Sequence, residues 1–150
     1  MLLVMEHGDA VSQFERFVMG AVGLTTQALG RATPGEELTF PQWRAIVIVG
    51  ESDRGARVGE IATRVGVTVP ATSRLLQRLR RRGLITLEPD REDRRATRAS
   101  LTDEGRVIRD AIFEFRRVAI IDAIRSFSAT DLPTIVAALA ILATSLDRWT

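Results

Sequence analysis

The 150-residue chain contains no cysteine, which removes disulfides, thiolate metal ligation and cysteine redox chemistry together. Histidine occurs once, as His7, so neither a zinc site nor a His-based catalytic triad has the residues it needs. No Gly-rich phosphate loop and no helically spaced acid pair is visible either. The inventory predicts no metal, no cofactor and no enzyme. Lysine is missing as well: all 21 basic residues are arginine. That uniformity reads as codon bias, so only the positions of the arginines are informative. The opening MLLVMEHGDA has a short apolar run with no positive stretch before it, unlike a signal peptide. The longest unbroken apolar run, Ile135 to Ala143, is nine residues, about half of what a membrane span needs. A cytoplasmic protein without a membrane partner is expected.

What remains is the make-up of an ordinary globular domain, 45% hydrophobic and 27% charged. A chain of this size buries roughly 70% of its unfolded surface, enough for one domain over residues 1–150. The net charge of +2 is unevenly spread. Residues 57–98 hold eleven arginines against five acids, a net +6, while the rest of the chain is at −4. A basic block in an acidic frame suggests an anionic partner.

Apolar residues from Ala10 to Leu29 keep the spacing of one helical face, and Gly30 with ATPGEE breaks it. Thr39 with Gln42 forms a capping box for a second helix, which Gly50 and SDRG end. A short helix over Val58–Val65 closes at Gly66, and Thr68 caps another that stops at Gly83. Two helices joined by a tight turn form a helix-turn-helix. The period then changes: Leu84–Glu88 and Ala96–Leu101 read as strands around a polar loop, the hairpin called a wing. Thr102 caps a long helix to about Phe127, and Ser128 with Asp131 opens a last one reaching Trp149. The predicted class is mainly α with a small β-wing.

That last helix is apolar on most sides and must be buried, yet a terminal element of a small domain has only one core to face. A homodimer built from the first and last helices is expected, through Val11, Val18, Leu132, Ile135, Leu139, Leu142 and Leu146. The winged helix-turn-helix would occupy about 38–102, and the dimerisation helices about 10–30 and 103–149.

Three stretches together resemble the MarR family of winged helix-turn-helix transcription regulators. They are LTFPQWRAI from Leu38, VGEIATRVGVTVPATSRLLQRLRRRGLI from Val58, and EPDREDRRATRASLTDEG from Glu88. The resemblance covers roughly residues 38–105 by motif and the rest by layout. It implies a homodimeric repressor of its own or a neighbouring operon, released when a small effector alters the spacing of the two recognition helices.

In a helix-turn-helix the second helix enters the major groove with its N-terminal residues against base edges. Leu75, Leu76 and Leu79 make the inward face, so Thr68, Pro70, Ala71, Ser73, Arg74, Gln77 and Arg78 are the DNA candidates. Arg74 or Arg78 suits guanine O6/N7, Ala71 and Pro70 suit thymine methyls, and Ser73 suits a phosphate. In the wing, Arg91, Arg94, Arg95 and Arg98 are available for phosphates or a narrow minor groove. The resemblance makes Asp93 the carboxylate that steadies Arg95 there. Arg80, Arg81 and Arg82 lie at a helix C-terminus, where cations offset the macrodipole with or without a contact. A dimer presents two such helices to palindromic double-stranded DNA.

The resemblance also implies a cleft for an aromatic or lipophilic effector, with Phe14, Phe17, Phe40, Trp43, Arg44 and Phe113 as candidates; plain core packing is the competing account. The lack of cysteine excludes a thiol-oxidation sensor, and the lack of tryptophan in the first helix argues against a urate-type one. A basic face also suits an acidic protein or non-specific DNA. A winged-helix interaction module without a dedicated operator is therefore the alternative function.

Overall fold

Capping threonines and left-handed glycines set the helix boundaries in a computed structural model that describes residues 8–32 and 38–146. The helices are α1 (Gly8–Ala32), α2 (Phe40–Gly50), α3 (Val58–Val65), α4 (Val69–Arg81), α5 (Asp103–Ile124) and α6 (Leu132–Leu146). Between them lie β1 (Ala56–Arg57), β2 (Ile85–Pro89) and β3 (Thr97–Leu101). The class is the expected one, mainly helical with a small antiparallel sheet.

Each cap is visible in its bonds. The Thr39 amide donates to Gln42 Oε1 at 2.9 Å before α2. Gly66, at φ 79°, ends α3 in a position an L side chain resists. The Val67 amide then reaches back to the Ala62 carbonyl and the Gly66 amide to that of Thr63, a Schellman ending. The end of α4 repeats this, with Leu84 bonding Leu79 and Gly83 bonding Arg80. Thr102 Oγ1 accepts the Gly105 amide at 3.1 Å and donates to the Gly83 carbonyl at 2.6 Å. One side chain thus caps α5 and fastens it to the end of α4.

The sheet order is β1-β3-β2. The hairpin expected at 84–101 is β2 and β3, paired from Ile85↔Leu101 to Pro89↔Thr97. Sequence reading passes over β1, whose two residues are too few to show a period. It pairs with β3 as Ala56↔Ala99 and Arg57↔Arg98.

The core gathers on α2, where Ala45, Ile46 and Val49 are buried against Ile61 of α3, Leu76 and Leu79 of α4, and Ile112 of α5. Helix α1 runs along α5, and the Arg31 guanidinium sits 4.7 Å over the Phe115 ring. Beyond Ala119 the chain has little cover: every residue from Ile120 to Asp131 is exposed. Helix α6 packs only slightly on the rest of the chain, with Val136, Leu139 and Ile141 exposed and Leu132, Ile135 and Leu142 half-buried. The expected reach to Trp149, and the Leu146 side chain, lie outside the described residues.

Candidate nucleic-acid interface

Helix α4 is held from one side only. Thr72, Leu76 and Leu79 are buried and Leu75 half-buried, the apolar face expected plus one threonine. Thr72 belongs there because its hydroxyl donates to the Thr68 carbonyl at 3.1 Å, so it enters the core satisfied. The opposite face presents Pro70, Ser73, Arg74, Gln77, Arg78 and Arg81, all exposed, with Ala71 half-buried at its edge. Thr68 is exposed too, but its hydroxyl accepts the Ala71 amide at 3.4 Å and caps the helix.

Just over half of the arginines among the described residues are already engaged. Arg64 meets Glu51 at 2.6 Å, holding that carboxyl below the usual range, and Arg109 meets Asp110 and the Gly50 carbonyl. Among the described residues, the arginine side chains with no ion pair, hydrogen bond or ring contact are Arg74, Arg78, Arg80 and Arg81 on α4, Arg91, Arg94 and Arg95 in the wing, and Arg54 and Arg116 elsewhere. Unneutralised positive charge is thus concentrated on the outer face of α4 and on the wing tip. A surface of this kind attracts anions from a distance.

The wing tip is shaped by two carboxylates. Asp93 accepts the Arg95 backbone amide at 3.0 Å, so it fixes the turn through the main chain and leaves the Arg95 guanidinium in solvent. Asp90, absent from the sequence-level candidates, is 2% exposed and is the most connected side chain of the region. Its oxygens accept Arg57 Nη2 at 2.9 Å, Arg98 Nε at 2.6 Å, and the amides of Glu92 and Asp93 at 2.9 and 3.0 Å. The Arg57 bond, followed by those of Arg98 and the two amides, outweighs desolvation and holds the Asp90 carboxyl far below the usual carboxylate range. Arg98 is therefore placed differently from Arg91, Arg94 and Arg95: its guanidinium also donates to the Gly55 carbonyl at 3.1 Å. No periodicity announces a buried carboxylate in a loop; the adjoining Pro89 and the strand-borne Arg98 were the only cues.

The aromatic set is brought together in part. Trp43 is buried and meets Phe113 edge-on at 5.3 Å, and Phe14 stacks on Phe17 at 6.5 Å along α1. Phe40 is exposed without a ring contact among the described residues. Arg44 turns to α3 and donates to the Arg64 carbonyl at 2.9 Å, a backbone partner.

Helix, turn, second helix and charged hairpin in this order define a winged helix-turn-helix. Residues 37–96 match the model of the MarR family. Over 90 residues, 57% of this chain and 46% of the other, the sequence is 34% identical to the HTH-type transcriptional regulator TtmR of Methylorubrum extorquens. The chain spans about half the length of two curated relatives it matches. RV1404 of Mycobacterium tuberculosis superposes with a TM-score of 0.78 at 26% identity, covering 94% of this chain and 92% of that one. The fold is also that of Streptococcus pneumoniae FabT, solved in complex with DNA, with a TM-score of 0.78 at 18% identity over 95% and 99% of the two chains. Over residues 37–96 the chain is thus similar to the MarR family of winged-helix transcription regulators.

Proposed function

We propose that the chain is a homodimeric, sequence-specific double-stranded-DNA-binding repressor of its own or a neighbouring operon, acting in the cytoplasm without enzymatic activity. One observation carries this reading: the arginines left without partners lie chiefly on the outer face of α4 and on the wing. Arg74 and Arg78 serve as base readers in the major groove, while Arg94 and Arg95 serve at the phosphates and the minor groove. FabT, of the same fold, was solved with DNA. Residues of about 38–102 form the DNA-binding lobe, and α1, α5 and α6 form the dimerisation helices. The apolar surface left open on α6 supports that division, because exposed patches of this kind mark association sites. A palindromic operator follows from the dimer's two-fold symmetry. A small aromatic effector between α1, α2 and α5 would act by changing the spacing of the two α4 helices.

The test is a fluorescence-anisotropy titration into the intergenic DNA upstream of the gene and into a scrambled duplex, at two salt concentrations. Specific binding appears as a preference of about a thousandfold or more, with affinity falling steeply in salt. Equal, salt-sensitive binding to both duplexes would replace the repressor reading with the non-specific or protein-docking module.

A further inference from the structure

The register of β1 against β3 places Arg57 directly opposite Arg98. Like charges at that separation destabilise a sheet, and a two-residue strand has little else to hold it. Asp90 resolves the conflict by lying between them, with Arg57 Nη2 on Oδ1, and both Arg57 Nε and Arg98 Nε on Oδ2. The same Oδ1 takes the amides of Glu92 and Asp93 in the wing tip. Glu92 closes the arrangement by pairing with Arg57 Nη2 at 3.1 Å. A single carboxylate thereby joins the strand before α3, the return strand of the hairpin and the backbone of the tip.

We propose that Asp90 is the positioning residue of the wing: by bridging Arg57 and Arg98 it fixes the tip at one attitude to α4, so that Arg94 and Arg95 meet DNA in register with Arg74 and Arg78. It touches no nucleotide and acts through the arginines beyond it. The inference rests on the DNA-binding reading above. Its physical basis is that a hairpin tip of exposed residues, Arg91 to Arg95, has no apolar contact to orient it. Only the hydrogen bonds at its root do so. Freed of them, the tip samples many attitudes, and each binding event must order it again.

The experiment is a double-mutant cycle with full-length D90N, R95A and R74A, read by anisotropy on the upstream intergenic duplex, with melting temperature and mass by light scattering measured alongside. D90N is expected to lose about tenfold or more in affinity, the worth of one good contact, while remaining a folded dimer. In the R95A background the same change should cost little further, because the tip then has less to position. In the R74A background it should cost its full factor. An equal loss in the R95A and wild-type backgrounds overturns the proposal, since Asp90 would then be acting on overall stability. Unchanged affinity of folded D90N overturns it too. Unchanged affinity of R95A removes the wing reading itself and this proposal with it, so the two failures are told apart. Should D90N not fold, R57M removes the more exposed partner of the bridge and is held to the same two backgrounds.

Discussion

Two glycines show how differently one residue type is used within a few turns of chain. Gly55 and Gly66 both have positive φ, at 70° and 79°, where a side chain costs about 1–2 kcal/mol. A methyl group added at Gly66 meets nothing within 4 Å, whereas at Gly55 it runs into the Ala99 carbonyl, where β1 pairs with β3. Gly66→Ala should therefore lose only the strain, while Gly55→Ala should lose roughly a further 1–3 kcal/mol through overpacking. Denaturant unfolding of the two variants checks this, and equal losses would mean the β1 approach is looser than described. The exposed arginines separate in the same way by what they meet. Arg74→Ala should cost about 1–3 kcal/mol on the operator and flatten the preference at one base pair. Arg94→Ala should weaken operator and scrambled DNA alike and reduce the salt slope by about one. Titrations against single-base operator variants decide between these roles, and a sequence-dependent effect of Arg94→Ala would reassign it as a base reader.

The wing is the element whose integrity depends on one ionised group. Because Arg57 and Arg98 hold the Asp90 carboxyl far below its unfolded value, its stabilising effect is complete above about pH 4 and is lost only as pH falls through the depressed folded value. Between pH 8 and pH 5 the Glu92 and Asp93 amide signals in NMR should therefore show no Asp90 titration, with change confined to stronger acid. A midpoint near pH 4 at those amides, the ordinary aspartate value, would mean the bridge is open in solution. The sequence told of this element unevenly. The alternation at 84–88 and 96–101 announced the hairpin, just as Thr68, Gly66 and Gly83 announced α4 and its limits. The outward arginines of α4 could be placed because Leu75, Leu76 and Leu79 fixed the inward face. Neither β1 nor Asp90 could be read, because both exist only through partners distant in sequence: Arg57 meets Asp90 33 residues on, and Arg98 meets the Gly55 carbonyl 43 residues back. The sequence offers Arg98 to phosphates or the minor groove for the same reason, since its partners Asp90 and the Gly55 carbonyl leave no local pattern.

For the whole molecule, the chain is uneven in how it covers its apolar residues. The core around α2 is closed, yet α1, α5 and α6 leave Phe17, Met19, Val118, Val136 and Ile141 more than half exposed. Single exposed apolar residues are ordinary, but a helix with so little polar surface as α6, packing only slightly on its own chain, needs a second surface. In the proposed homodimer a second copy would provide one and would place two α4 helices on one duplex, at about 34–36 Å for adjacent helical turns. Leu139, 43% exposed at the middle of α6, is not among the buried core residues and lies on a different element from the arginines of α4. Leu139→Glu should therefore leave the DNA-binding lobe folded, shift the mass in light scattering from dimer to monomer, and lower operator affinity by roughly 10²–10⁴-fold as the two half-sites cease to be bound together. Binding to a single half-site should change little, since each lobe keeps its own arginines. A variant that stays dimeric would move the interface away from α6. A monomer that keeps full operator affinity would mean that each lobe reads DNA alone, and the palindrome would then have no structural cause.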